Sequence, residues 1–371
     1  METNALTPAL LQTLRRHQPH PVVSVSMPTH RREPDNAQDA VRLRNLLAEA
    51  GRRIDADESV SRQSRAELKA QLERALTDVD LRRSLDGLVI FAGTDEHQVW
   101  VLPRPVPERV VVSDSFLTRN LVAAKAQATP FWVLVIAADR STLWHGSGER
   151  LSEHRGNGFP VTPEELDDDV QREQRVGDVA GTFRDEETRR YLRTVDSTLA
   201  AVLAAEPRPL YVVGLPPALS LLEDVGTATR DAVGKVLSGG LVDGPASELY
   251  RQLEPSLADF QRRAAERTAD RLNAARGKRK FAAGLDEVWE SVREGRVALV
   301  AVEEHFQQTV RVEEGHLVPL DPALPHPSGN GIREDIVDEL VELALDGGAE
   351  VVFVPDDMLA GHSRIAADLR Y

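Results

Sequence analysis

The sequence predicts a mixed α/β (α+β) protein built from three domains. Three observations carry that expectation. The chain has 371 residues, 41% hydrophobic and 28% charged, which is ordinary for folded proteins and too long for one small core. Apolar runs of strand length recur at 87–93, 131–137, 210–214, 297–302 and 351–355, several of them bounded by glycine or proline. Between them lie longer stretches whose apolar residues return at helical spacing.

The elements follow in order. Leu6, Leu10, Leu11 and Leu14 give a short amphipathic helix over 5–17, and Val22, Val23 and Val25 give a strand over 21–27. A polar loop opens at Pro28, and a helical region runs from about 37 to 85, interrupted near 56–61. The run Gly87-Leu88-Val89-Ile90-Phe91-Ala92-Gly93 reads as a buried strand with 98–102 as its hairpin partner. Prolines 103, 105 and 107 make a stiff connector. These elements form a first, α+β domain over 1–126.

A second domain, 127–280, opens with the strand 131–137 and its hairpin return at 141–146. Residues 152–182 are the least structured part, running from His154 and Arg155 into the acids Asp167, Asp168 and Asp169; such long polar insertions are usually functional or disordered. A helix over 183–203 places Tyr191, Leu192, Val195, Leu199 and Leu203 on one face. The strand 210–214 and a helix from 217 follow. A long helix over 247–280 is apolar at Leu249, Leu253, Leu257 and Phe260 and ends in Arg262, Arg263, Arg267, Arg271, Arg276, Lys278, Arg279 and Lys280. The third domain, 281–371, is α/β: Val288, Trp289 and Val292 lead to the strand 297–302, a helix over 332–345 stops at Gly347-Gly348, and strands follow at 351–355 and 365–371.

Composition excludes several chemistries. With no cysteine there are no disulfides, thiolate zinc sites or cysteine nucleophiles. No apolar run nears the roughly 18 residues of a membrane span, and no signal-peptide core opens the chain; a cytoplasmic protein without a membrane or DNA partner is the simplest fit. The net charge of −15 is uneven. Residues 1–130 hold 18 Lys/Arg against 17 Asp/Glu, whereas residues 301–371 hold 4 against 15. That acidic block is expected to avoid RNA and to face a protein.

Catalytic signatures are scarce. His305, His316, His326 and His362 are scattered, and His17 and His20 stand without nearby carboxylates, so no metal site is expected. Gly234-Lys235 lacks the spacing of a phosphate loop, and Gly146-Ser147-Gly148 is not a nucleophile elbow. What stands out is basic. The loop Met27-Pro28-Thr29-His30-Arg31-Arg32-Glu33-Pro34-Asp35-Asn36 is stiffened by proline at both ends, and helix capping accounts for Asp35 or Asn36 but not for His30, Arg31 and Arg32. With Arg42 and Arg44 on the next helix, these residues are candidates for phosphate contact. So are Arg262, Arg263, Arg267, Arg271, Lys278, Arg279 and Lys280, since Arg and Lys displace condensed counterions from nucleic acid.

Three features in this order resemble a known family: the strand and Met27-Pro28-Thr29-His30-Arg31 loop with 39–47, the segment 289–302, and the ending 351–355 with Ile365-Ala366-Ala367-Asp368-Leu369-Arg370-Tyr371. The chain resembles the bacterial branch of the archaeo-eukaryotic peptide-chain release factor and Pelota superfamily, its family 3 above all. The resemblance spans essentially the whole chain. It implies an N-terminal domain directed to the ribosomal decoding region, an RNase H-like middle domain, and a C-terminal domain resembling ribosomal kink-turn-binding proteins. True release factors of this superfamily carry Gly-Gly-Gln on a middle-domain loop, and residues 152–182 have none. Gly156-Asn157-Gly158 and Gly177-Asp178-Val179-Ala180-Gly181 lack the glutamine, and residues 161–190 carry ten acids against five basic residues.

The expectation is a non-enzymatic ribosome-binding factor without cofactor. By analogy with Pelota-like and Balon-type members, it would occupy the A site during stalling, rescue or hibernation, with a translational GTPase as partner of the acidic C-terminal domain. Two alternatives stand beside it. One is a metal-dependent nuclease using Asp139 and Asp196 on the RNase H-like core, and the other is a protein-only adaptor.

Overall fold

The computed structural model describes residues 1–2, 5–16, 20–163, 180–321 and 331–371. The architecture is mixed α/β with four sheets among these residues. The chain divides into two compact units, one of residues 1–128 with 265–371 and the other of residues 129–264.

In the first unit, the N-terminal module begins with α1 (Pro8–Leu14), β1 (Val22–Pro28), α2 (Asp39–Ala56) and α3 (Arg62–Asp78). It continues with β2 (Gly87–Ala92), β3 (His97–Leu102), β4 (Arg109–Ser113) and α4 (Arg119–Gln127). The four strands form an antiparallel sheet in the order β3-β2-β1-β4. Because successive strand side chains point to opposite faces, Val23, Val25 and Met27 pack with Leu43, Leu46, Ile54, Leu68 and Leu72 of α2 and α3. Phe91, Trp100 and Leu102 pack on the opposite face with Leu14 and Leu121. Both faces are covered, which is why β2 reads as an unbroken apolar run.

The second unit holds β5 (Phe131–Ile136), β6 (Ser141–Ser147), β7 (Arg150–His154), α5 (Ala180–Ala205), β8 (Leu210–Gly214), α6 (Pro216–Val225), β9 (Gly234–Leu237) and the first part of α7 (Ala246–Gly277). Its sheet runs β7-β6-β5-β8-β9, antiparallel across β7, β6 and β5 and parallel across β5, β8 and β9. Trp132, Leu134 and Ile136 meet Tyr191, Leu192, Val195 and Leu199 of α5. Their neighbours Phe131, Val133 and Val135 meet Leu249 and Leu253 of α7. The segment expected to be least structured begins with an edge strand, β7; its residues 164–179, including the Asp167-Asp168-Asp169 tract, lie outside the described residues.

The C-terminal module of the first unit contains β10 (Phe281–Ala283), α8 (Leu285–Arg293), β11 (Val297–Glu303), β12 (Val310–Glu313), β13 (His316–Pro319), β14 (Ile332–Arg333), α9 (Ile336–Asp346), β15 (Glu350–Val354) and β16 (Ile365–Leu369). The main sheet is ordered β10-β16-β11-β15 with β11 and β15 parallel, and a small sheet runs β13-β12-β14. Two expected helix boundaries move. The helix expected over 332–345 starts at Ile336, because Ile332 and Arg333 pair with Arg311 and Val310 of β12. The helix expected to reach Lys280 stops at Gly277: Arg279 takes φ 59° and the Lys280 amide turns back to the Ala275 carbonyl at 3.0 Å. Gly347-Gly348 ends α9 as expected, with Gly348 at φ 67° and the Arg370 guanidinium donating to both glycine carbonyls at 2.9 and 3.2 Å.

Candidate nucleic-acid interface

The loop after β1 is anchored at its base and open at its tip. Thr29 donates its hydroxyl to the Leu85 carbonyl at 2.9 Å, and Ser84 donates to the His30 carbonyl at 2.9 Å. Asp39, buried at the start of α2, organises the rest. It accepts from the His30 amide at 2.8 Å and lies 3.0 Å from His30 Nδ1, while Arg42 reaches it at 3.1 Å. His30 is thereby fixed with its other ring nitrogen turned away from Asp39. Arg31 grips Asp86 through two parallel contacts of 2.8 and 2.6 Å, the bidentate geometry natural to guanidinium and carboxylate. Arg42 also contacts Glu108 at 3.2 Å.

The candidate cations thus separate into two kinds. His30, Arg31 and Arg42 belong to a carboxylate network. Arg32 and Arg44 are exposed and have no carboxylate partner among the described residues, and Asn36 is half-buried in the short turn Asp35–Gln38. Sequence reasoning did not assign a site role to Asp39 or Asp86. Asp39 sits three residues before Arg42, a helical pairing distance, but the nine-residue step from His30 carries no such signature.

The basic tail behaves similarly. On the second unit, Arg262 and Arg263 pair with Asp259, the latter at 2.9 Å, and Arg263 also donates to the Val233 carbonyl at 2.8 Å. On the first unit, Arg271 binds Asp368 and Glu350, each at 2.8 Å, and Lys280 donates to the Arg370 carbonyl at 2.8 Å. Arg267, Lys278 and Arg279 are exposed. Lys278 and Arg279 lie in the turn beyond α7, not on the helix.

The acidic block meets arginines of its own chain. Within the first unit, Glu304 faces Arg104 at 3.3 Å, Glu334 faces Arg53, and Asp346 faces Arg15 at 2.6 Å. Asp335 faces Arg109 at 2.9 Å and Arg119 at 3.4 Å. The Arg119 amide donates to Asp338 at 2.6 Å and the Thr118 hydroxyl donates to Glu342 at 2.6 Å. Part of the charge that pointed to an external protein is therefore used at the junction of the N- and C-terminal modules.

Residues 130–296 match the family model described as bacterial archaeo-eukaryotic release factor family 3. Over this segment, a little under half of its length, the chain is similar to that release-factor family. Among solved structures, the chain is similar to an archaeal translation termination factor, aRF1, at 18% identity, covering 100% of this chain and 99% of that one, with a TM-score of 0.25. It is similar to Pelota of Archaeoglobus fulgidus at 15% identity over 76% and 79% of the two chains, TM-score 0.38. It is also similar to Dom34 of S. cerevisiae, a translation termination-like factor, at 11% identity over 79% and 82%, TM-score 0.38. No curated protein sequence matches the chain.

In the matched segment, Asp196 is a structural group. Its carboxylate accepts from the amides of Thr227, Ala228 and Thr229 at 2.7–3.1 Å and from the hydroxyls of Thr227 and Thr229 at 3.1 and 3.2 Å. Burial pushes its pKa up, but these bonds to the charged form outweigh it and hold the carboxyl below its ordinary range. Asp139 is exposed in the turn between β5 and β6. Among the described residues no group of three His, Asp or Glu side chains can hold a metal ion, and no helix is long and apolar enough to cross a membrane. Replacing Asp196 by alanine strands several donors, so chemical unfolding should show a loss of about 2–3 kcal/mol; an unchanged midpoint would contradict the capping role.

Proposed function

We propose that this protein is a release-factor homologue that binds the ribosome and occupies the A site in stalling, rescue or hibernation without hydrolysing peptidyl-tRNA. The observation that carries this reading is a match of residues 130–296 to the family 3 model in a chain with no Gly-Gly-Gln anywhere in its sequence. The side chain that would position water at the ester is missing, and residues 161–190, with ten acids against five basic residues, suit an rRNA-lined catalytic centre poorly. An RNase H-like middle domain and a kink-turn-binding-like C-terminal domain are parts of the same reading.

The grip on RNA falls to the exposed cations. Arg32 and Arg44 are free to meet phosphate directly, while His30, held by Asp39, adds a fixed imidazole beside them. A translational GTPase, if engaged through the C-terminal module, would meet exposed acids such as Glu314 and Asp357. Sedimentation with purified ribosomes tests the reading. Binding should weaken steeply with salt, and the Arg32→Glu/Arg44→Glu double variant should lower the slope of log affinity against log salt by roughly 2, one unit per lost phosphate contact. A protein that stays at the top of the gradient at low salt removes the proposal, and peptidyl-tRNA hydrolysis above background removes its non-catalytic half.

A further inference from the structure

The unit of residues 129–264 contains a cleft of about 410 Å³ beside the outer strands of its sheet. Its floor is Trp132, buried and fixed by donation from its indole nitrogen to the Glu206 carbonyl at 3.1 Å. Around this ring stand His145 and His154, edge-on at centroid distances of 5.9 and 5.2 Å, and the guanidinium of Arg208, 4.8 Å from the ring centre. Ser152 and Arg155 complete the rim.

Two polar atoms here are left unmet. His154 Nε2 and Arg208 Nη1 are buried and have no hydrogen-bond partner among the described residues, an arrangement that native proteins rarely leave without a role. Arg208 spends its other terminal nitrogen on Glu206 at 2.8 Å, and the exposed Arg155 contacts Glu153 at 2.8 Å, so both guanidiniums keep spare donors. Burial, together with the charge of Arg208, pulls His145 below the ordinary histidine pKa, so it offers an uncharged ring at neutral pH. The cleft therefore combines cationic donors, flat aromatic edges and carboxylates able to accept from hydroxyls. That set matches a phosphate, a planar base and a ribose, and single-stranded nucleotides are recognised by such rings and guanidinium planes.

We propose that this cleft binds one nucleoside monophosphate unit, as a free mononucleotide or as one nucleotide of a single-stranded RNA, with Arg208 and Arg155 on the phosphate and His145 and His154 against the base. The site lies on a different unit from the Arg32 loop, and its occupancy does not depend on ribosome binding.

The test uses the full chain, titrated with 5′-AMP, with a five-nucleotide RNA and with inorganic phosphate, read by calorimetry and by the histidine ring signals in NMR. AMP should move the signals of His145 and His154 and leave that of His316 in place. Arg155→Ala and His154→Ala should each weaken binding at least tenfold with an unchanged circular dichroism spectrum. Tighter binding of the RNA assigns the site to a strand, and equal binding assigns it to a free nucleotide; either supports the proposal. The proposal falls if neither ligand shifts these signals at millimolar concentration. It also falls if Arg155→Ala and His154→Ala bind like the parent, or if inorganic phosphate binds as well as AMP. Ribosome sedimentation of the same two variants keeps this outcome separate from the ribosome reading, which their failure to bind AMP would not touch.

Discussion

Arg119→Ala should destabilise the unit of residues 1–128 and 265–371 by about 3–5 kcal/mol, the cost typical of breaking a buried ion pair from one side. Arg119 is 3% exposed. Its guanidinium donates to the Phe306 carbonyl and lies 3.4 Å from Asp335, whose side chain is equally buried. Truncation leaves that carboxylate with Arg109 alone and strands the Phe306 carbonyl. The paired replacement Arg119→Met/Asp335→Leu should cost far less, since it removes both desolvated charges together. Urea unfolding separates these outcomes: a loss under about 1 kcal/mol for Arg119→Ala would mean that the buried network carries little of the stability of the junction.

The same junction should make the protein less stable as pH rises. Burial pushes Asp338 up to about 7, with the nearby charge of Asp335 adding to it, and pushes Glu342 up to about 9, with Asp338 adding to it. The groups facing them soften this only in part: the Arg119 amide on Asp338, and the Thr118 hydroxyl and the Arg15 charge on Glu342, with Asp346 working in the opposite sense. The native chain therefore holds protons that the unfolded chain has already released above the ordinary carboxylate range. Stability then falls with rising pH, from about pH 4 through 7 for Asp338 and on through 9 for Glu342, by up to about 1.4 kcal/mol per pH unit for each group in its window. Glu342→Gln keeps the shape and removes the titration, so its stability curve should be flatter between pH 6 and 9. Parallel curves for parent and variant would show that Glu342 ionises as it does in the unfolded chain.

The strands were legible wherever burial on both faces made the run continuous, as in 87–92, 131–136 and 297–302. β4 escaped because Arg109-Val110-Val111-Val112-Ser113 follows directly on the Pro103–Pro107 connector. The β12–β13 hairpin left a trace that was not used. Val310 and Val312 alternate with Arg311 and Glu313, and Glu314-Gly315 both take positive φ, 51° and 91°, as a two-residue hairpin turn requires. At the candidate interface, exposed arginines could be named from sequence. Their carboxylate partners could not, because Asp86 for Arg31 and Asp368 for Arg271 come from distant segments brought near only by the sheets. The acidic block shows the same limit: its composition marked a surface with a counterpart, and for Glu304, Glu334, Asp335 and Asp346 that counterpart is the chain's own first module.

That pairing has a bearing on synthesis. Arg53 and Glu334 are 281 positions apart, and Arg109 and Asp335 are 226 apart. A growing polypeptide emerges with its early guanidiniums long before the acids that neutralise them exist, and the intervening 129–264 body can condense in the meantime. Contacts of such separation form late and slowly. The first module should thus pass through a period as a partly uncovered species with unpaired guanidiniums along its seam, and the closing of that seam should be the last cooperative event on the way to the mature molecule.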